Sequence, residues 1–319
     1  MLELGEVDIR DPGPGEIAIA VRAAGLNRAD VLQRRGLYPA PPGLSSLPNV
    51  PGLEYAGTVV GIGTEVRSFA VGDRVMGIVA GGGMCTRVVV HEREAIRVPE
   101  GMPLEEAAAV PEVFLTAYDA LFTQARLSMG EVVLLHAVTS GVGTAALQLA
   151  TVAGSTRVGT SRSEEKLARL AKTFEIDHAI VTLDGKFAAV LEERLRGRRA
   201  DVILDTIGAA YLDENVRALA ELGRIVIIGL LGGVNAPLPL ALLLARRGRI
   251  FGSVLRARPL EEKAALAQAF TREVLPLFAS GRVRPVIDAV LPMDQIREAH
   301  RRMEHNETFG KLVLDWGDG

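Results

Sequence analysis

The strongest constraint on this 319-residue chain is a single strand–turn–helix unit near its centre. Val132-Val133-Leu134-Leu135 is a continuous apolar run, His136 to Gly143 is a turn of mostly small residues, and Ala145 to Ala150 continues with helical spacing. A strand that is apolar on both faces needs cover on both, which a parallel sheet flanked by helices supplies. The same alternation runs on downstream. The pattern predicts strands at Glu131–His136, Thr156–Thr160, His178–Val181, Ala200–Asp205, Arg224–Gly229 and Arg249–Val254. Between them it predicts helices at Val142–Ala153, Glu164–Ala171, Phe187–Arg196, Tyr211–Leu219 and Leu238–Arg246.

Six strands with intervening helices match a doubly wound, Rossmann-type α/β domain. The first hundred residues read differently. Short period-2 runs at Glu16–Ala23, Thr58–Gly61, Arg74–Ile78 and Arg87–Val90, punctuated by Gly-Pro and Gly-Asp, predict a small irregular β-barrel. Helices are expected at Glu105–Ala109, at Phe114–Arg126 and from Pro259 to about Ser280. Strands Val286–Leu291 and Lys311–Leu314 bracket a helix at Met293–His305. The expected organisation is a barrel domain of residues 1–110, a Rossmann domain of 111–255, and a segment 256–319 that returns to complete the barrel.

Composition narrows the function classes. The chain is 48% hydrophobic and 24% charged, with a net charge of -3, so neither nucleic acid nor an anionic membrane is an expected partner. The greasiest stretch, Leu238 to Ala245, falls far short of the ~20 apolar residues of a membrane span. No charged-then-apolar leader opens the sequence, so no secretion is expected. The single cysteine, Cys85, excludes an internal disulfide and a multi-cysteine structural zinc site, and cytoplasm is the expected compartment.

The turn Ser140-Gly141-Val142-Gly143 lies between a strand and a helix, the setting in which a glycine-rich turn binds a dinucleotide. Gly141 and Gly143 let main chain approach a pyrophosphate, and the helix N-terminus offers it N–H groups. The first glycine of a strict GxGxxG is missing, with Ala137 or Val138 in its place. A tight βα turn with packing glycines is the alternative. Cofactor choice is read at the end of the second strand, where an acid usually marks NAD. Here Ser161 and Arg162 stand there, with Lys166 one turn later; it is one of five lysines in the chain. These residues can surround a 2′-phosphate, so NADPH is expected. Ser163 also fits a helix cap ahead of Glu164 and Glu165.

Further motifs accumulate: Ala24-Gly25-Leu26-Asn27-Arg28-Ala29-Asp30, Gln33 with Gly36-Leu37-Tyr38-Pro39, Pro51 to Gly57, Val71 to Val75, Pro111 to Ala117, Gly229 to Gly233, and Gly310 to Leu314. On these the chain resembles the medium-chain dehydrogenase/reductase superfamily, in particular its zinc-independent quinone oxidoreductase branch, over about Pro14 to Leu314. The resemblance implies a GroES-like barrel beside the Rossmann domain and hydride transfer from NADPH to a quinone or conjugated carbonyl. Zinc-dependent relatives carry a Cys and a His where this chain has Asn27 and Leu53, so no catalytic metal is expected.

The resemblance also places Asn27, Tyr38 and Thr116 at the reacting centre. Asn27 would bond an acceptor oxygen, the ribose or a water, and Tyr38 would stack on the acceptor or give a proton. Their structural alternatives are a turn-forming side chain for Asn27, an aromatic plug for Tyr38, and a buried helical threonine for Thr116. Asp30 joins the cofactor set, or caps the helix Val31–Arg35. Gly229, Leu230, Val254 and Leu255 would present backbone to the nicotinamide, and Lys311 is either near the cofactor or an exposed strand lysine.

Two departures stand out. The family carries a further strand ahead of the segment that begins here at Leu2, so either the barrel lacks an edge or the start lies upstream. A tyrosine frequent after the third Rossmann strand is absent from Val181-Thr182-Leu183-Asp184. Competing readings are a 2-enoyl thioester reductase and a non-catalytic NADPH-binding protein. The apolar edge strand Arg249–Val254 predicts a homodimer.

Overall fold

The computed structural model describes residues 2–43, 47 and 50–317. Two compact units divide the chain, one of residues 1–115 with 255–319 and one of residues 116–254. The first opens with β1 (Glu16–Leu26), α1 (Arg28–Arg34), β2 (Glu54–Ile62), β3 (Arg74–Ile78), β4 (Arg87–His91) and the short β5 (Ile96–Arg97). Alternation sets the inward face: Ile17, Ile19, Val21, Val59, Val75, Val88 and Val90 cluster around the buried Tyr55 ring. α2 (Leu104–Ala107) and α3 (Pro111–Tyr118) follow. The helix expected over Phe114–Arg126 starts earlier, at Pro111, and runs on as a π-helical stretch from Asp119 to Gln124.

The second unit carries β6 (Val132–Leu135), α4 (Gly141–Val152), β7 (Thr156–Ser161), α5 (Glu164–Thr173), β8 (His178–Val181), α6 (Ala188–Arg194), β9 (Ala200–Asp205), α7 (Leu212–Ala218), β10 (Leu219–Ile227), α8 (Leu240–Arg246) and β11 (Arg249–Gly252). Its sheet has the order β11-β10-β9-β6-β7-β8, with all neighbours parallel. The order reverses at β6, so ligand-binding loops gather at the carboxyl ends of the strands around it. Val132, Leu134, Val158, Ile203 and Ile225 fill one core with Phe187, Leu191 and Val216. Leu219, placed in a helix by its spacing, instead begins β10, and β11 stops at Gly252 rather than Val254.

The chain then re-enters the first unit through α9 (Leu260–Glu273), α10 (Leu275–Ala279), β12 (Ile287–Pro292), α11 (Ile296–Glu304) and β13 (Lys311–Asp315). The single helix expected to Ser280 breaks at Val274, because Pro276 has no N–H to continue the ladder. β13 pairs antiparallel with β1, giving the order β12-β13-β1-β2-β3-β5, with β4 also on β1. This pairing carries Lys311 to Leu26 and Asn27, 285 and 284 residues away in sequence.

Candidate functional site

In the second unit the glycine-rich turn is built as a helix start. Ser140 caps α4, its Oγ accepting from Gly143 N at 3.1 Å. The first N–H groups of the helix, at Gly141 and Val142, have no intrahelical acceptor and are available to an anion. Ala137, where a strict motif has glycine, holds a left-handed φ of 47°. Gly143 is required by packing: a Cβ there would lie 2.4 Å from the Ala137 carbonyl oxygen. A dinucleotide pyrophosphate fits this cradle.

At the end of β7, Ser161 is buried and its Oγ accepts from Ser163 N at 3.2 Å. Ser163 in turn caps α5 through Lys166 N at 3.2 Å. Arg162 is exposed and Lys166 half-buried. Gly229 and Leu230 follow β10, and Val254 follows β11 with its side chain exposed. All of these therefore lie beyond the carboxyl ends of parallel strands in one sheet, together with the Ser140–Gly143 turn. Thr116 is half-buried on α3.

Under the turn runs a buried polar chain that sequence reading left as structural. His136 Nδ1 lies 2.8 Å from Thr160 Oγ1, and its Nε2 lies 2.6 Å from Asn215 Oδ1. Asn215 Nδ2 donates to Asp205 Oδ2 at 3.0 Å, so its oxygen must face His136, whose Nε2 carries the proton. Burial holds the His136 pKa down to about 4, keeping the ring neutral. Asp205 caps the next loop through Ile207 N and Gly208 N, and burial raises its pKa to about 6. The chain ties together β6, β7 and β9 where their carboxyl ends meet. No tyrosine follows β8, but Tyr211 reaches there from the segment before α7, its hydroxyl 2.8 Å from Thr182 Oγ1.

In the first unit a cluster of charged groups is sealed into the barrel. Lys311 Nζ donates to Leu26 O and Asn27 Oδ1 at 2.8 Å each and to Glu54 Oε1 at 2.6 Å. Asn27 Nδ2 donates to Glu54 Oε1 at 2.8 Å and to Gly25 O at 3.2 Å. Gly25 makes the room, since a Cβ there would lie 2.3 Å from Glu54 Oε1. Glu54 Oε2 accepts from Glu112 N at 2.8 Å, anchoring the start of α3.

This geometry corrects several expectations. The Asn27 amide is committed to Lys311 and Glu54, because buried polar groups take partners within the fold, so it has no free N–H for an acceptor. Lys311 is not an exposed strand lysine; it is buried with all three of its N–H donors engaged, which removes it as a direct cofactor ligand. Asp30 is fully buried and accepts from Asn27 N at 2.8 Å and Gly52 N at 2.9 Å. It caps α1 and offers nothing to a cofactor; burial raises its pKa to about 6, with the two amides working against the rise. The Leu255 side chain is buried, and the role expected of this residue is a backbone one.

Tyr38 is half-buried beneath Arg256, whose guanidinium carbon sits 5.1 Å from the ring centroid. Arg256 donates to Ala80 O at 2.8 Å, Tyr38 O at 3.0 Å and Gln33 Oε1 at 2.6 Å, fixing the Tyr38 loop. Burial raises the Tyr38 pKa above the usual phenol value, and the nearby Glu112 adds to the rise. Sequence reading missed Arg256, Glu54 and Glu112 as site residues. Glu112 is half-buried, and its carboxyl has no hydrogen-bond or ion-pair partner among the described residues. Burial, then the neighbouring Glu54, push its pKa up to about 8.

The donor set does not fit a catalytic zinc. Asn27 is committed, Leu53 is a buried hydrocarbon, and the described residues hold no group of three or more His, Cys, Asp or Glu placed to bind a metal. No described helix is long and apolar enough to cross a membrane.

Comparison with known proteins places these features in context. Residues 13–100 match the alcohol dehydrogenase GroES-like domain family, and residues 174–314 match the zinc-binding dehydrogenase family. The synaptic vesicle membrane protein VAT-1 homolog of Rattus norvegicus is 32% identical over 320 residues, covering 95% of this chain and 77% of that protein. The solved CurK enoyl reductase shares a TM-score of 0.86 at 28% identity, covering 98% of this chain and 94% of that one. A quinone oxidoreductase of Pseudomonas syringae pv. Tomato DC3000 shares a TM-score of 0.85 at 28% identity, covering 98% and 95%.

Proposed function

Because the chain belongs to the medium-chain dehydrogenase/reductase superfamily, as an oxidoreductase with a nicotinamide cofactor whose residues fit the zinc-independent branch, we propose that it reduces quinones and related conjugated carbonyls with NADPH. The observation that carries this reading is the commitment of Asn27 to Lys311 and Glu54, with Leu53 beside them. With no metal ligands at those positions, no Lewis acid stabilises an alkoxide, which favours an acceptor that is already electrophilic.

NADPH supplies the hydride. Ser140, Gly141, Val142 and Gly143 hold its pyrophosphate, while Ser161, Arg162 and Lys166 take the 2′-phosphate. Gly229, Leu230 and Val254 line the nicotinamide end, and Thr116 faces the ring. Tyr38 packs against the acceptor, and Asn27 and Lys311 position Glu54 and the start of α3.

The test is NADPH and NADH oxidation with ortho- and para-quinones. Turnover with quinones, faster with NADPH, supports the reading, and no turnover with any quinone overturns it. A second reading, reduction of 2-enoyl thioesters, draws on the likeness to CurK enoyl reductase, and crotonyl thioester in the same assay decides it. Cofactor binding without turnover of either acceptor class would indicate a non-catalytic NADPH-binding protein.

We place the protein in the cytoplasm as a homodimer. The β11 edge, with Ile250 and Phe251 half-buried, would pair with a second copy. Light scattering at twice the chain mass is expected, and monomer mass refutes it.

A further inference from the structure

Five ionisable side chains come together in the first unit: Glu112, with Asp30, Glu54, Lys311 and Arg256 about it, and Tyr38 lies beside Glu112 and Arg256. Three are acids and two are bases, so in a low-dielectric site one acid is without a counter-charge. Hydrogen bonding identifies which. Asp30 accepts two backbone amides. Glu54 accepts from Lys311 Nζ, Asn27 Nδ2 and Glu112 N. The Glu112 carboxyl accepts from no described group, and it is only half-buried, so it retains an open side. An ionised carboxylate in that place would be desolvated and uncompensated, which favours the neutral acid. Its shift to about 8 agrees with this count. Thr116, the residue assigned to the nicotinamide, follows Glu112 by one helical turn on α3.

Resting on the quinone-reductase reading, we propose that Glu112 is the proton donor of the reaction. A C–H bond of the dihydronicotinamide breaks and both its electrons pass with the hydrogen to the acceptor, which oxidises the cofactor. The O–H bond of Glu112 breaks, a new O–H bond forms at the acceptor oxygen, and the Glu112 carboxylate takes a replacement proton from water. The sum is one NADPH, one proton and one quinone giving NADP+ and hydroquinone. Tyr38 is the weaker acid of the two, since its phenol is raised above an already high value. Its place is to hold the acceptor against Arg256.

The groups that face Glu112 are Glu54 on β2, Asp30 on α1, Lys311 on β13, Arg256 ahead of α9, and Tyr38 on the loop after α1. Lys311 and Arg256 lower its proton affinity, while Glu54 and Asp30 raise it.

The test compares the wild-type protein with Glu112→Gln and Glu112→Asp. Single-turnover NADPH oxidation with a para-quinone is expected to slow by roughly a hundredfold in Glu112→Gln and to recover in part in Glu112→Asp, which keeps the acid. NADPH affinity by fluorescence is expected to stay unchanged. The wild-type rate should fall as pH rises through about 8, and the Glu112→Gln rate should not follow it. Independently of turnover, infrared titration of the cofactor-free protein should show a protonated carboxyl band that disappears through the same pH range and is missing from Glu112→Gln. A Glu112→Gln protein that matches an active wild type in rate and pH profile overturns the proton-donor role alone. Wild-type protein that turns over no quinone overturns the quinone reading and this role with it.

Discussion

Lys311 Nζ lies 2.6 Å from Glu54 Oε1, and both side chains are buried, at 3% and 0% exposure. The pair joins the last strand of the barrel to its second and holds Asn27 between them. A buried pair of this kind is a weak net stabiliser, yet removing one partner leaves a desolvated charge. Lys311→Met should therefore cost about 3–5 kcal/mol in denaturant unfolding. Adding Glu54→Gln should recover part of that loss. An unchanged midpoint in the single variant would mean that the pair is not closed in solution.

At the nucleotide turn, Gly143→Ala puts a methyl group 2.4 Å from the Ala137 carbonyl oxygen and 2.6 Å from the Val138 carbonyl carbon. Both are main-chain atoms that cannot swing aside. The variant should lose about 1–3 kcal/mol of stability and bind NADPH more weakly, as read by melting with and without cofactor. Tight NADPH binding by the variant would move the pyrophosphate away from this turn.

Arg162 is exposed beyond β7 and has no ion-pair partner among the described residues. Arg162→Ala should raise the NADPH dissociation constant by about ten- to a hundredfold while leaving NADH unchanged. Equal effects on the two cofactors would assign Arg162 to a feature they share rather than to the 2′-phosphate.

His136 titrates on the acid side. Its pKa falls from the ordinary 6.5 to about 4 in the fold, so the neutral ring is the stabilised form. The associated stability is complete above 6.5 and is lost as pH falls toward about 4. Asp30 and Asp205, both raised to about 6, act in the opposite sense over part of that window. The difference between wild type and His136→Gln isolates the histidine. The wild type should lose more of its melting temperature on acidification, and parallel curves would contradict the neutral assignment.

Much of the second unit was legible before any coordinates. The runs at Val132–Leu135 and Ala200–Asp205 are apolar on both faces, which leaves them few alternatives to a covered parallel strand. Ser140, Ser163 and their following residues declared helix starts through local hydrogen bonds within three positions. Boundaries were less legible: Leu219 fits helix spacing, but the pairing of β10 with β9 takes it.

The acceptor side was legible only as residue identities. Asn27 read as a group free to touch substrate, and Lys311 as a surface cation or cofactor contact, because nothing local in either segment announces the other. Glu112 stands in the Pro111–Ala117 motif, ahead of the helix expected from Phe114, and nothing local marks it as an acid without a partner.

The family resemblance implies that Asn27 and Leu53 stand where zinc ligands would be; the sequence by itself determined the two-part α/β architecture and the glycine-rich turn. Those follow from residue type and short-range spacing, which chain connectivity preserves. Only the tertiary structure decided which charges meet. The β1–β13 pairing brings Lys311 across 284 residues to Asn27 and across 257 to Glu54, and that contact leaves Glu112 as the acid without a partner. Proton affinity in a buried cluster depends on distance and dielectric, and neither is written in the order of the residues.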